Sequence, residues 1–317
     1  MRELTNLRAA YGETLVKLGE ANPDIVALDA DLSKSTMSSL FQQRFPERFF
    51  EMGIAEANMA SVAAGLSLMG KIPFFSSFAV FSTGRCYDQI RTSICVPGLN
   101  VKICGSSAGL SDFGDGSTHQ SVEDIAIMRA LPNMRVFVPA DALQLRQIVQ
   151  YMAENPGPMY LRVCRNELPA VTRETDAFVP GKPVKLLEGG DAVVFATGAM
   201  VGPALDAAEL LRGDGIALSV VNLPSIKPLD ADAVAEIVAS HDAVLTAEEH
   251  SLIGGLNSAV LGALSERCAK RVYGIGINDR VGTAAESYPV LMRAYGLTAE
   301  RIAARVREAL EEKCKEL

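Results

Sequence analysis

Short apolar runs alternate with amphipathic segments along this chain of 317 residues. Runs such as residues 72–78 and 101–105 are apolar almost without a break, which is typical of strands buried on both faces of a sheet. The segments between them have helical spacing, and this alternation predicts parallel sheets covered by helices. The predicted strands are 24–32, 48–53, 72–78, 101–105, 135–139, 159–164, 191–198, 217–222, 242–248 and 271–277. The predicted helices are 4–20, 36–45, 55–69, 81–94, 121–130, 141–153, 203–212, 230–239, 255–268 and 298–313.

A polar stretch with several Pro, Thr, Asp and Gly residues interrupts this alternation near the middle of the chain. Such a composition is typical of a linker. We therefore predict an α/β protein with two doubly wound domains and mainly parallel sheets. The first domain would span residues 1–170, the linker 171–190 and the second domain 191–317.

Composition and charge narrow the classes of function. The net charge is −8 and there is no long Lys/Arg run, so we expect no nucleic-acid partner and no anionic-membrane partner. No apolar run reaches the ~18 residues of a membrane span. The first twenty residues lack the apolar core of a signal peptide, and we expect a cytoplasmic protein. The six cysteines form no CxxC motif, which predicts free thiols rather than disulfides or a zinc site.

Polar residues follow several predicted strands of the first half, at the edge where parallel sheets bind ligands. Asp29 and Asp31 end one strand, and Glu51 and Glu56 follow the next. The loop 106–120 follows the strand at 101–105. Helix capping remains an alternative explanation for Asp29 and Asp31. The convergence of these segments predicts a ligand site at this edge.

Glu56 begins a predicted helix whose body is almost entirely Ala, Ser, Gly and Met. A favourable interaction with the helix dipole explains a Glu at this position adequately. The functional alternative is a carboxylate in an apolar pocket that shares a proton with a ligand nitrogen. The sequence leaves both interpretations open.

Aromatic residues cluster after this helix, in and beyond the strand at 72–78. They could fill the core, or they could form a wall that stacks on a flat ring. His119, in the loop 106–120, is a candidate proton or hydrogen-bond donor, with an ordinary surface His as the alternative. The aromatic cluster consists of Phe74, Phe75, Phe78 and Phe81.

Three arginines, Arg8, Arg162 and Arg165, are candidates for binding an anion, although a solvated arginine explains each one alone. Residues 114–116 form a Gly-Asp-Gly run that resembles the start of a magnesium-diphosphate motif. The nearest later asparagine, Asn133, lies beyond a predicted helix and is poorly spaced for that motif. We therefore predict no metal site in this chain.

Read together, these segments resemble the C-terminal half of transketolase and its thiamine-diphosphate-dependent relatives. The segments that carry the resemblance run through the whole chain. They are GIAEANMASVAAGL, SSFAVFSTGRCYDQIR, GDGSTHQSVEDIAIMRALPNMRVFVPAD, LRVCRNELP, TAEEHSLIGGLNSAV and GINDRVGTA. The third of these is the most specific.

The resemblance implies a role for each matching position. Glu56 would contact the aminopyrimidine N1′ of thiamine diphosphate and promote its imino form. Glu56 and His119 are the catalytic residues that the resemblance implies. Phe78 and Phe81 would pack against the pyrimidine ring, and Asp31 would lie near the thiazolium. In the substrate site, His119 and Asp115 would face the sugar hydroxyls. The sugar phosphate would be bound by Arg8, Ser35 and Arg165.

The resemblance also implies a partner. The diphosphate-binding domain of full-length transketolase, which holds Mg²⁺, has no counterpart in this sequence. We therefore expect an N-terminal transketolase subunit to hold Mg²⁺ and to share the cofactor in an α₂β₂-like assembly, with a homodimer contact through this chain. Two positions depart from the family: Gly105 replaces a histidine of the phosphate pocket, and Gly84 replaces an aromatic residue. Both departures bear on the choice of sugar.

Three hypotheses follow. The first is the pyrimidine-binding subunit of a split transketolase, which transfers a two-carbon ketol unit between sugar phosphates. The second is a 1-deoxyxylulose-5-phosphate synthase-like enzyme, or a 2-oxoacid dehydrogenase β-like subunit. The third is a non-catalytic α/β binding module, for which Glu56→Ala would be silent.

Overall fold

A computed structural model of the chain describes residues 2–316. Its strands build two large sheets and one two-stranded ribbon. The strands are β1 Leu4–Thr5, β2 Ile25–Asp29, β3 Phe49–Glu51, β4 Ile72–Phe78, β5 Lys102–Ser106, β6 Arg135–Phe137, β7 Met159–Arg162, β8 Leu168–Pro169, β9 Val184–Leu187, β10 Ala192–Ala196, β11 Leu218–Asn222, β12 Ser225–Lys227, β13 Ala243–Ser251 and β14 Val272–Ile277.

Helices cover these sheets and bury their apolar faces in two large core clusters. The helices are α1 Leu7–Ala21, α2 Ser33–Thr36, α3 Ser39–Arg44, α4 Glu56–Leu68, α5 Tyr87–Gln89, α6 Asp124–Ala130, α7 Ala142–Glu154, α8 Val201–Arg212, α9 Ala231–Ala239, α10 Leu256–Leu264, α11 Tyr288–Ala294 and α12 Ala299–Glu316. The π-helical segments are Phe81–Arg85 and Ile90–Cys95, and the 3₁₀ segments are Pro46–Arg48, Gly116–Thr118 and Gly198–Met200.

Parallel pairing dominates both sheets, as the unbroken apolar runs predict. The first sheet has the order β12-β6-β7-β5-β4-β2-β3, and the second has the order β14-β13-β10-β11-β9. Only their edge strands β12 and β9 pair antiparallel, with β6 and β11. The predicted fold class, two doubly wound α/β domains with mainly parallel sheets, is confirmed.

The boundary between the two halves is less simple than the linker predicted over residues 171–190. Strand β9 lies inside that range and pairs with β11, so the C-terminal part of the range belongs to the second sheet. Strand β12, from the second half of the sequence, pairs with β6 of the first sheet. A strand from the second half of the sequence therefore completes the first sheet.

Two predicted helices take a different form in the structure. The helix predicted over 36–45 is two short helices, α2 and α3, because Met37 between them adopts a left-handed φ of +65°. The helix predicted over 81–94 begins and ends in π-helical turns, which widen the backbone at both ends. The helix α11 and the strands β1, β8, β9 and β12 were not predicted from the sequence.

Capping side chains fix the start of several helices. Asn6 accepts a hydrogen bond from the backbone N–H of Ala9 and begins α1. Asp141 caps α7 and also accepts hydrogen bonds from Thr172, which ties the segment after the first domain to its core.

Five cysteines are free thiols, as predicted, and the side chain of Cys314 lies outside the described residues. In the described part of the chain, no helix combines the length and apolarity needed to cross a membrane.

Candidate active site

A cleft of about 410 Å³ opens at the carboxyl ends of the strands of the first sheet. Its walls come from the segments after β2, β3, β4 and β5. Three of these, the segments after β2, β3 and β5, are the ones that the sequence predicted to converge. Ligands of parallel sheets bind at this edge. The lining residues are Ala30, Asp31, Leu32, Ile54, Glu56, Phe81, Arg85, Thr118 and His119.

Glu56 is the most buried acidic group of this cleft, with 1% of its surface exposed. It is the first residue of α4, and Nη1 of Arg85 donates to both of its carboxylate oxygens, at 2.8 and 3.0 Å. The expected apolar pocket is therefore only partly correct. Apolar residues surround the start of the helix, but a guanidinium neutralises the carboxylate.

An aromatic wall lies beside this carboxylate. The rings of Phe78 and Phe81 stack with centroids 6.1 Å apart and planes 13° apart. His119 meets both rings edge-on, at 6.2 Å from Phe78 and 5.4 Å from Phe81. Phe74 and Phe75 are fully buried in the core. The aromatic cluster thus divides into two core residues and two residues of the cleft.

Asp31 and its neighbour Asp29 have different tasks. Asp31 lines the exposed mouth of the cleft with a left-handed φ of +61°, and its backbone N–H donates to Glu51 Oε1 at 2.8 Å. Asp29 is fully buried and accepts hydrogen bonds from Leu32 N–H and from the hydroxyls of Thr36 and Ser38. Burial raises the pKa of Asp29 to about 6, against those hydrogen bonds. Asp29 therefore shapes the loop that carries Asp31 and Ser35.

Two arginines, Arg8 and Arg165, lie close enough for the charge of one to act on the other. Nη1 of Arg8 donates to the backbone carbonyl of Ser35 at 3.0 Å, whereas its buried Nε has no hydrogen-bond partner among the described residues. The guanidinium of Arg165 lies 5.7 Å from the Phe78 ring centroid. Burial and then the charge of Arg165 lower the pKa of Arg8. Two close guanidiniums and an orphaned N–H are suited to an anion.

Asp112 places a negative charge in this basic cluster. Its Oδ2 lies 3.2 Å from Nη1 of Arg165, and its side chain is 5% exposed. Burial raises the pKa of Asp112, although Arg165 opposes that effect. The sequence analysis missed Asp112, because only the folded loop brings it to Arg165. A carboxylate here weakens the attraction of the cluster for a dianion.

The loop 106–120, which carries Asp115 and His119, is braced by the second domain. Asp115 is exposed at the start of a short 3₁₀ turn. Glu249 accepts a hydrogen bond from Leu110 N–H at 2.8 Å, and Ala285 N–H donates to Phe113 O at 2.9 Å. The side-chain amide of Gln120 donates to the carbonyls of Asp112 and Thr283. The position of the loop therefore depends on both domains.

Arg162, a candidate for anion binding from the sequence, has a structural task. Its side chain is 5% exposed, and its Nε donates to Asp124 at 2.9 Å. Burial opposes its charge, but Asp124 and Glu249 together raise the pKa of Arg162. Because these buried carboxylates already neutralise it, Arg162 is not available to a ligand in the cleft.

The structure explains the departure from the family pattern at Gly105 but not the one at Gly84. A Cβ atom at Gly105 would lie 2.3 Å from the hydroxyl oxygen of Tyr160, which donates to Asp124 at 2.7 Å. A histidine therefore does not fit at position 105. A Cβ atom at Gly84 would meet nothing within 4 Å. The next residue, Arg85, folds over Phe81 instead, with its guanidinium 4.3 Å from the ring centroid.

This geometry suits one end of a flat nitrogen heterocycle. The cleft combines a buried carboxylate acceptor, an aromatic face and the ring of His119, with a basic cluster beyond Phe78. In the described part of the chain, no group of three or more His, Cys, Asp and Glu residues is placed to hold a metal ion. The residues present thus fit the pyrimidine end of thiamine diphosphate.

Comparisons with known proteins agree with this geometry. Residues 4–171 match the family model for the transketolase pyrimidine-binding domain, and residues 181–302 match that for the transketolase C-terminal domain. A protein of Methanocaldococcus jannaschii named as a transketolase C-terminal section is 42% identical over 308 residues, which cover 96% of each chain. A 6-deoxy-6-sulfo-D-fructose transketolase subunit of Clostridium sp. is 42% identical over 307 residues, covering 97% of this chain and 95% of the relative.

A solved structure agrees as well. It is described as a split gene transketolase in an inactive β4 tetramer, and it shares 50% identity and a TM-score of 0.88 with this chain. The match covers 98% of this chain and 99% of that one. Because these matches run over nearly the full length of each protein, they favour the first of the three hypotheses.

Proposed function

Because this chain belongs to the transketolase family, of which it spans the pyrimidine-binding and C-terminal domains, we propose that it is the C-terminal subunit of a split transketolase that transfers a two-carbon ketol unit between sugar phosphates. The observation that carries this proposal is the buried carboxylate of Glu56 in a cleft that is also lined by Phe81 and His119.

Thiamine diphosphate, when bound, supplies the carbon nucleophile that cleaves and forms the bond next to the ketone. The carboxylate of Glu56 would hold a proton against the pyrimidine N1′, and Phe78 and Phe81 would present a flat apolar wall to the ring. Asp31 would lie near the thiazolium. Burial of the carboxylate strengthens its hydrogen bond to a ring nitrogen, because water does not compete for it.

His119 would donate to an oxygen of the substrate from the edge of the aromatic wall. Asp115, on the same loop, would face the sugar hydroxyls. The sugar phosphate would lie across the basic cluster beyond Phe78, bound by Arg8, Arg165 and the Ser35 segment. The orphaned Nε–H of Arg8 supports this assignment, since a buried donor without a partner is costly until an acceptor arrives.

The proposal includes a second polypeptide. We propose that an N-terminal transketolase subunit binds the diphosphate and Mg²⁺ and completes the cofactor site. A homodimer contact through this chain would join two such pairs. The inactive β4 tetramer of the 50% identical split transketolase supports this arrangement, because that β chain is inactive in the form solved.

Reconstitution tests the proposal. This chain is co-expressed with a diphosphate-binding partner chain, and ketol transfer from a phosphorylated ketose to an aldose phosphate is measured with thiamine diphosphate and Mg²⁺. Glu56→Gln should reduce turnover by at least about 100-fold, because a proton-transfer group is lost. The same replacement at exposed Glu47 is the matched control and should leave turnover unchanged.

Each alternative has its own outcome in this experiment. Size-exclusion chromatography should show an intact assembly for the Glu56→Gln variant. Full activity of that variant would refute the catalytic role of Glu56 and favour a non-catalytic module. Turnover by the isolated chain would refute the requirement for a partner. Condensation of pyruvate with an aldose phosphate, without ketol transfer, would favour the synthase-like hypothesis.

A further inference from the structure

Arg85 occupies the place beside Glu56 that a flat heterocycle would need. Its Nη1 lies within 3.0 Å of both carboxylate oxygens of Glu56, and its guanidinium carbon lies 4.3 Å from the centroid of the Phe81 ring. The side chain is 47% exposed, whereas the carboxylate it contacts is 1% exposed. A planar, N–H-donating cation thus stacks on the aromatic wall and is hydrogen-bonded to the buried acid.

The backbone explains how Arg85 reaches this position. Phe81–Arg85 is a π-helical turn, so the chain between these two residues is wider than in an α-helix. Gly84, between these two residues, faces open space, since a Cβ atom there would meet nothing within 4 Å. The arginine side chain can therefore fold back over the ring of Phe81 and still approach Glu56.

Arg85 and an aminopyrimidine ring compete for the same contacts. Phe81 also stacks on Phe78, and the guanidinium of Arg85 lies 4.3 Å from its centroid, so a ligand ring that stacks closely on Phe81 would have to take the place of the guanidinium. Because both carboxylate oxygens of Glu56 accept hydrogen bonds from Arg85, the carboxylate is less able to form a hydrogen bond with a ring nitrogen of a ligand. Since 47% of the arginine side chain reaches solvent, it can move outward without unfolding the helix.

We propose that Arg85 reserves the pyrimidine position of the cleft, neutralising Glu56 and covering Phe81 until thiamine diphosphate displaces it, and that it thereby lowers the affinity of the assembly for this cofactor. The inference rests on the proposed function. It has two consequences that oppose each other: Arg85 stabilises the free chain, and it weakens cofactor binding.

The first consequence is measured on the free chain by thermal unfolding. Arg85→Ala should lower Tm by about 3–6 °C, because it leaves a buried carboxylate without its counter-charge. Arg91→Ala, at an exposed arginine of the same segment, is the matched control and should change Tm by less than about 1 °C. In a Glu56→Gln background, Arg85→Ala should have little further effect, because the charge it compensates is gone.

The second consequence is measured by titrating the reconstituted assembly with thiamine diphosphate and Mg²⁺ in a calorimeter. Arg85→Ala should lower the Kd for thiamine diphosphate by about 3- to 10-fold, because the cofactor no longer has to displace the guanidinium. Arg85→Lys keeps the charge without the flat group and should give an intermediate Kd. Arg91→Ala again serves as the control.

Three results would overturn the inference. A higher Kd for thiamine diphosphate in the Arg85→Ala assembly would show that Arg85 contributes to cofactor binding, and an unchanged Kd would show that it has no effect on binding. Either result would leave the proposed function intact. An unchanged Tm of the free chain would show that the pair with Glu56 contributes nothing. A wild-type assembly that binds no thiamine diphosphate would refute the proposed function and this inference together.

Discussion

The buried carboxylate of Asp29 should make the stability of the chain depend on pH, and Asp29→Asn should remove that dependence. Asp29 is fully buried, and its pKa is raised from its ordinary value of 3.8 to about 6, mainly by burial. Glu51 adds to the shift, and the hydroxyls of Thr36 and Ser38 oppose it. The folded state thus binds the Asp29 proton more tightly than the unfolded state does.

The sign follows from this difference. Because the folded pKa is higher, the folded chain holds more protons than the unfolded chain between pH 4 and pH 6, and stability falls as pH rises through that window. Above about pH 7, one unit beyond the folded pKa, the loss is nearly complete. A difference of about 2 pKa units corresponds to about 3 kcal/mol in full, of which about 1.4 kcal/mol is lost between pH 5 and pH 7.5.

Urea unfolding of the wild type and of Asp29→Asn at pH 5 and pH 7.5 measures the pH-dependent contribution of Asp29 to the free energy of unfolding. Asparagine keeps an acceptor for Leu32 N–H, and the two hydroxyls can rotate to accept from its amide. The variant should gain about 1.4 kcal/mol relative to the wild type when the pH rises from 5 to 7.5. A difference between the two proteins that stays constant with pH would refute the reasoning.

The remaining predictions concern the basic cluster and the core beneath it. Arg165→Ala should raise KM for a phosphorylated ketose by about 10-fold or more in the assembly, because a charged hydrogen bond is lost, while Kd for thiamine diphosphate stays unchanged. Equal use of unphosphorylated donors by the wild type would contradict the phosphate assignment. Asp112→Asn removes the carboxylate 3.2 Å from Arg165 and should lower the same KM; an unchanged or higher KM counts against the role given to Asp112. Gly105→Ala should destabilise the chain by about 1–3 kcal/mol in urea unfolding, because its methyl group would overlap Tyr160; a wild-type midpoint would show that Tyr160 moves freely.

The fold could be predicted from the sequence because its signal is local. Each buried parallel strand is an unbroken apolar run, and each helix repeats its apolar residues, so both sheets follow from periodicity. Strands β9 and β12 carry no such run, because they are short edge strands whose pairing depends on the partner strand. Helix α11 and the left-handed Met37 depend in the same way on packing rather than on a local pattern.

The candidate site could be located but not completed from the sequence. Parallel topology places strand ends at one edge, and for that reason Asp31, Glu56 and His119 were expected near one another. Arg85 and Asp112 could not be found in this way. Their importance comes from ion pairs with Glu56 and Arg165, and those pairs depend on a π-helical turn and on a loop path that no periodic pattern indicates.

The bracing of residues 106–120 by the second domain limits how this protein can be divided. Removal of the second domain would take Glu249 and Thr283 away from Leu110 and Gln120, and it would leave β6 without the edge strand β12. A fragment ending at the first domain would still contain every residue assigned to the cleft. It would lack the contacts that hold the loop carrying His119 in position. Truncated variants of this protein should therefore keep both domains together.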